Sequence, residues 1–158
     1  MVRLVPMTQE RFQAMTERVI SHYAEEPVRI GTWEGSEAVS LARVTTEEYL
    51  PKGLATPGQY FRVIEDEVSG KPVGDLWYTL RSRGRRQQLF VEWIVIEEKH
   101  RRHGYATEAL RQLEGEARRL GAYWVALGTA GDNSAALSLY GKLGFQPKNI
   151  FLAKNIPP

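Results

Sequence analysis

A mixed α/β domain built around one sheet is the fold class this sequence predicts. Three β-rich runs crowd the stretch from Tyr60 to Ile96, an apolar period of about 3.6 residues takes over at Gly104, and amphipathic segments flank both. Length and composition agree with that class. A chain of 158 residues, 42% hydrophobic and 25% charged, can bury one ordinary core, so residues 1–158 are expected to form a single domain.

The elements follow in order. A short strand covers about Arg3 to Val5, and Thr8 then caps a helix whose Phe12, Met15, Val19 and Tyr23 recur at helical spacing before Pro27. A second helix follows the Gly31 to Gly35 break, with Ser36 as N-cap and Ala38, Leu41, Ala42, Thr45 and Tyr49 on one stripe. Pro51 and Gly53 end it, and residues 53–58 read as a loop. Strands are expected over Tyr60 to Glu65, Val73 to Leu80 and Leu89 to Ile96, with turns at Ser69 to Pro72 and at Arg83-Gly84. Ala106, Ala109, Leu110, Leu113, Ala117 and Leu120 line the next helix, which Gly121 closes from the C′ position. A strand from Tyr123 to Leu127, a helix from about Ser134 to Leu143 stopped by Gly144, and a β segment from Phe145 to about Ile156 complete the chain. The third helix crosses between the fourth and fifth strands, as parallel pairing requires.

Several function classes are excluded early. With no cysteine there is no disulfide framework, thiolate metal site or cysteine acyl-enzyme. His22, His100 and His103 lack metal-site spacing on a shared helix face, so no metal is expected. Met1 to Pro6 lacks the apolar core of a secretory signal and no run approaches the ~20 apolar residues that span a bilayer, so cytoplasmic residence without a membrane partner is expected. A net charge of +2 does not call for nucleic acid, although two basic clusters stand out, Arg81 to Arg86 and Lys99 to His103.

The second cluster sits where chemistry would need it. Ile94-Val95-Ile96 reads as a buried strand end, Glu97 to His103 as a basic turn, and Gly104-Tyr105-Ala106 as a helix start. Helix starts leave four backbone N–H groups unpaired and carry roughly half a positive charge, which together suit a pyrophosphate. Gly104 admits close backbone approach, Ala106 keeps the helix tight against the ligand, and Arg101 and Arg102 add charge.

Arg101-x-x-Gly104-x-Ala106 resembles the Gln/Arg-x-x-Gly-x-Gly/Ala signature of the GNAT superfamily of acetyl-CoA-dependent N-acetyltransferases. A second block, Asn133-Ser134-Ala135-Ala136-Leu137-Ser138-Leu139-Tyr140-Gly141-Lys142-Leu143-Gly144-Phe145, resembles that family's Asn…Ala…Tyr-x-Lys-x-Gly-Phe segment. The resemblance implies a GNAT-like fold, one central, mostly antiparallel twisted sheet with a parallel splay of the fourth and fifth strands and helices on both faces. It implies that pantetheine pairs with backbone around Ile94, Val95 and Ile96, and that the amides of Arg102, His103, Gly104, Tyr105, Ala106 and Thr107 hold the pyrophosphate. Asn133 then hydrogen-bonds the pantetheine region and Tyr140 is the general acid toward the CoA thiolate. The implied reaction is direct attack by a primary amine on acetyl-CoA, with the oxyanion held by an N–H near Val95 or Ile96.

An alkylammonium must lose a proton before it attacks, so a base is wanted. Glu92 is the leading candidate, because strict alternation puts Phe90, Glu92, Ile94 and Ile96 on one face, where apolar neighbours could desolvate a carboxylate. His100, Asp75 and Tyr78 rank behind it, and a water chain could replace any of them. Plainer readings stand beside these: Tyr140 as a core tyrosine, Asn133 as an N-cap, Glu92 as a strand residue emerging into water, and Arg81 to Arg86 as a solvated turn, for which the functional readings are a collar for the CoA 3′-phosphate or a face for an acidic acceptor. Trp77, Trp93 and Trp124 are expected in the core rather than as a stacking platform, and Trp33 is the exception, in a loop near the expected acceptor side.

The chain departs from the family pattern at Glu98, where proline is common, at Arg102, where glycine is common, and in the short stretch after Gly144. That stretch predicts an open acceptor cleft or one completed by a second subunit, as in a homodimer. A CoA-binding sensor without turnover, and a nucleic-acid-binding protein using both basic clusters, are the alternatives; no helix-turn-helix or RNP-like aromatic motif supports the latter.

Overall fold

Trp77 and Tyr78 are both buried and adjacent on one strand, so they face opposite ways, and two helical layers follow from that alternation. The computed structural model describes residues 1–29, 31–154 and 156. It divides into two compact units, Met1–Leu127 and Gly128–Pro158.

The first unit holds β1 (Val2–Pro6), α1 (Gln9–Arg29), α2 (Gly35–Tyr49), β2 (Gln59–Asp66), β3 (Pro72–Arg83), β4 (Arg86–Ile96), α3 (Tyr105–Arg119) and β5 (Ala122–Leu127). The five strands form one sheet in chain order, antiparallel from β1 to β4, with β4 and β5 parallel. On one face Trp77, Phe61 and Val63 pack against Phe12, Met15 and Val19 of α1, and Phe12 meets Phe61 edge-on at 4.8 Å. On the other face the Tyr78 hydroxyl donates to Glu116 of α3. The mixed α/β class with helices on both faces of a mostly antiparallel sheet is therefore the observed one.

Local details refine the expectations. Thr8 caps α1 as expected, its hydroxyl accepting from the Arg11 amide at 3.3 Å. That helix runs past Pro27 to Arg29, although the proline gives up its own N–H bond and crowds the Tyr23 carbonyl one turn back. The second helix is capped by Glu34 without a side-chain bond rather than by Ser36, and it is rotated from the expected stripe. Ala38, Ala42 and Thr46 are buried, whereas Leu41 and Tyr49 lie partly in water, since the small residues let α2 approach Ile20 and Ala24 of α1. The expected stripe of α3 is the observed one at Ala109, Leu110, Leu113 and Ala117, and Gly121 takes φ 71° just past its end.

In the second unit α4 (Ser134–Lys142) forms as expected. The β segment expected from Phe145 does not: described residues after Gly144 carry no strand, and Ile150, Phe151 and Leu152 are at least three-quarters exposed. Apolar composition alone suggested that strand, and a strand exists only where another strand pairs with it; Asn155 lies outside the described residues. Trp124, expected in the core, is 48% exposed on β5, a strand that pairs along one side only among the described residues.

Candidate functional site

After β4 the chain makes a single 3-10 turn, Glu98–His100, and then a tight passage into α3. Arg102 takes φ 67° and Gly104 φ 80°, a left-handed pair around His103. Only glycine enters that region without steric cost, so Arg102 is held there against its side chain. The glycine that the family places at this position thus has a conformational reason. Among the described residues, the backbone N–H groups of residues 102–107 meet no acceptor in the protein, and no side chain caps the helix. Six consecutive unsatisfied donors beside a helix N-terminus form an anion cradle.

Side chains brace this cradle. The Arg101 Nε donates to the Ile96 carbonyl at 3.1 Å, fastening the loop to the strand it leaves. His103 Nδ1 lies 2.7 Å from the Arg101 carbonyl, so this nitrogen carries the proton, and its ring stacks on Tyr105 at 5.8 Å. A shallow cavity of about 530 Å³ opens alongside, lined by His103, Gly104, Thr107, Glu108, Arg111 and Gln112.

The strand that feeds this loop has a free edge. Pairing between β4 and β5 ends at Val91 opposite Leu127, so among the described residues no strand pairs with Ile94, Val95 and Ile96 on the β5 side of the sheet. On the other side Gly74 sits so close that a Cβ there would lie 2.2 Å from the Val95 carbonyl oxygen.

Strict alternation fails at Glu92, which corrects one expectation. Trp77 pairs with Trp93 and Tyr78 with Val91, leaving Glu92 as the extra residue of a β-bulge. Phe90 and Glu92 therefore face α1 and α2 together with Trp93, while Ile94 and Ile96 face the α3 side. The apolar surroundings expected for the Glu92 carboxylate are replaced by a polar cluster. Its Oε1 accepts from the Tyr49 hydroxyl at 2.7 Å and pairs with the Arg81 guanidinium. Arg81 also donates to the Tyr49 hydroxyl at 2.9 Å and lies 4.2 Å above the Phe90 ring. The Tyr23 hydroxyl reaches the Glu92 carbonyl at 3.5 Å, and burial, followed by the Glu92 charge, pushes that phenol up to about 12.

The weaker base candidates are engaged elsewhere. Asp75 is fully buried and paired with both Arg11, at 2.5 Å, and Arg18 of α1. Arg11 also reaches Glu97 at 3.2 Å. Tyr78 is committed to Glu116, and burial raises its phenol well above the ordinary value. His100 belongs to the 3-10 turn below the cradle.

Arg81 was read from sequence as part of a solvated turn, and that reading does not hold for it, although Gly84 does make the turn. Tyr23 and Tyr49 were missed as site residues. Both were counted as apolar-face positions, and no sequence signal marks a tyrosine whose hydroxyl meets a carboxylate on another strand.

In the second unit Asn133 caps α4, its Oδ1 accepting from the Ala136 amide at 3.1 Å, which leaves the amide NH2 for another partner. Helix α4 ends in a Schellman motif. The Phe145 N–H bonds the Tyr140 carbonyl and the Gly144 N–H the Gly141 carbonyl, both at 3.0 Å, with Gly144 at φ 84°. The Tyr140 and Phe145 rings meet at 5.7 Å, the apolar contact that accompanies this cap. Burial pushes the Tyr140 phenol up, so it keeps its proton at neutral pH.

Among the described residues no three His, Asp or Glu side chains gather as metal ligands, and no helix is long and apolar enough to cross a membrane.

Comparison with known proteins agrees with this architecture. The acetyltransferase (GNAT) family profile matches residues 19–145. The chain is 31% identical over 158 residues to the uncharacterized N-acetyltransferase YycN of Bacillus subtilis, covering 98% of this chain and 99% of YycN. It is 30% identical to YdgE of the same organism, covering 97% of each. The crystal structure of YycN superposes with a TM-score of 0.90 over the whole of both chains. An acetyl transferase from Pyrococcus furiosus, 18% identical, shares the fold with a TM-score of 0.73 over 99% of this chain and all of that one.

Proposed function

Because the chain belongs to the acetyltransferase (GNAT) family, we propose that it is a cytoplasmic, single-domain enzyme that moves an acetyl group from acetyl-CoA to a primary amine by direct attack in a ternary complex. The observation that carries this reading is the run of six unsatisfied amides, residues 102–107, at the head of α3. A diphosphate supplies the acceptors these donors lack, and Arg101 and Arg102 add positive charge.

Acetyl-CoA supplies an activated acyl group and a thiolate leaving group. The residues divide the remaining work. The free edge at Ile94, Val95 and Ile96 offers N–H and C=O groups to an extended amide-bearing arm, and an N–H at Val95 or Ile96 steadies the carbonyl oxygen as it gains charge. Asn133, whose amide NH2 is free of its cap bond, is proposed as a cofactor contact from its match to the family's segment. Glu92, directly or through water, takes the ammonium proton. The amine nitrogen then bonds the acetyl carbon, the carbon–sulfur bond breaks, and Tyr140 gives its proton to the departing sulfur. An amide and free CoA result, and no metal takes part.

Calorimetric titration with acetyl-CoA tests the reading. Micromolar binding is expected in the wild type and none in Gly104→Glu, whose carboxylate fills the cradle. No binding by a folded wild-type protein would remove it.

A further inference from the structure

Four elements send side chains to one point on the α1/α2 face of the sheet: Tyr23 from α1, Tyr49 from α2, Arg81 from β3 and Glu92 from the β4 bulge. Their internal bonds leave specific groups unspent. Glu92 accepts both of its bonds through Oε1, so Oε2 has no donor among the described residues. The Glu92 side chain is only 6% exposed, and Oε2 belongs to the small part of it that a ligand can still reach. Arg81 donates through Nη2 alone, which leaves its Nε–H and Nη1–H groups without an acceptor among the described residues while its side chain is 37% exposed. Trp93, the next residue and on the same face because of the bulge, has a buried indole N–H with no partner among the described residues.

We propose that this cluster is the acceptor subsite and that it takes an amine whose skeleton also carries a carboxylate, as in an α-amino acid; the proposal rests on the acetyltransferase reading above. The ammonium goes to Glu92 Oε2 and the carboxylate to an unspent N–H of Arg81, at Nη1 or Nε, in a single charge-assisted hydrogen bond, since both paired edges of the guanidinium include Nη2 and its two hydrogens are taken by Tyr49 and Glu92. Charge balance selects this class. Arg81 and Glu92 cancel, so a polycationic amine meets an unanswered Arg81 and a polyanion meets Glu92, whereas a dipolar acceptor satisfies both. The carboxylate that receives the ammonium is also the proposed base. Cofactor phosphate is a poor alternative partner for Arg81. Its strand position lies opposite Gln88, eight residues before Ile96 and so roughly 27 Å of extended chain from the cradle, and its side chain reaches only as far as Glu92.

Two readouts test this. In the first, CoA release is followed with a thiol reagent, which has no background here because the chain has no cysteine. The probes are the common α-amino acids and, for each that reacts, its carboxamide and its decarboxylated amine. The carboxylate form is expected to show a kcat/KM higher by about tenfold or more, carried mainly in KM. Arg81→Gln should abolish the preference with acetyl-CoA affinity retained, and Arg81→Lys should restore part of it. In the second, which needs no turnover, the Trp93 indole N–H resonance, assigned with Trp93→Phe, is followed as the same amino acids are added. A saturable shift lost in Arg81→Gln supports the subsite, even if acetyl-CoA fails to bind and the acetyltransferase reading falls. Equal use of carboxamide and carboxylate, preference for the decarboxylated amine, or an indole signal that no amino acid moves would overturn the proposal.

Discussion

Arg102 offers a test in which backbone and charge can be separated. Its φ of 67° places a residue with a Cβ in the left-handed region, at a cost of about 1–2 kcal/mol. Replacing it with alanine keeps the Cβ and therefore the cost, while removing the guanidinium. Replacing it with glycine removes both, although glycine's freedom in the unfolded chain takes back about 0.5–1 kcal/mol. Arg102→Gly should then be more stable than Arg102→Ala by roughly 0.5–1 kcal/mol, or about 2–4 °C in Tm for each kcal/mol at this chain length. Urea unfolding, read by tryptophan fluorescence, measures the difference. Both variants lose the same charge beside the cradle, so both should bind acetyl-CoA about three- to tenfold more weakly, and to the same extent. An alanine variant as stable as the glycine variant would refute the strained-loop reasoning. Unequal affinities would show that residue 102 shapes the cradle through its backbone and not by charge alone.

Other expectations follow from single contacts. Gly74→Ala puts a Cβ 2.2 Å from the Val95 carbonyl, so the strands must part; a loss of about 1–3 kcal/mol in urea unfolding is expected, with weaker acetyl-CoA binding because the free edge of β4 moves. Burial alone would raise the Glu97 carboxyl, but the hydrogen bond and charge of Arg11, joined by Lys99, outweigh it and hold the group low. A folded-state pKa below the unfolded value of about 4.3 adds stability above that pH and loses it as pH falls further, so Glu97→Gln should flatten the decline of stability below about pH 4.3. Tyr140→Phe keeps the ring contact with Phe145 and should retain fold and CoA affinity while kcat drops by about 10²–10⁴-fold; unchanged turnover would end the acid role.

What could be read from the sequence was local. The strand, basic turn and helix from Ile94 to Thr107 are contiguous, and each is set by neighbours a few residues away, so the cradle was legible before any coordinates. The end of α4 was legible for the same reason. The bulge at Glu92 was not, because it is a mismatch of register between β3 and β4 and exists only when both strands are aligned. Everything that depends on it was hidden too: which face Glu92 takes, that Trp93 joins it there, and that Arg81 turns away from its hairpin to meet it. The rotation of α2 was hidden because alanines contribute little to an apolar pattern yet decide how closely two helices pack. A last strand was expected over Phe145 to about Ile156, and a preference for extended chain in that stretch cannot supply a pairing partner.

The end of α4 bears on how such chains are recognised at all. Gly144 answers to its left-handed turn and Phe145 to its contact with the residue five before it, so the helix end alone accounts for these letters of the second block. Phenylalanine at position 140 would serve the cap as well as tyrosine does. A search weighted toward the whole block therefore collects proteins by how a helix ends, active or not. On the acid role proposed for Tyr140, a relative with phenylalanine there should keep the shape without that route for the proton.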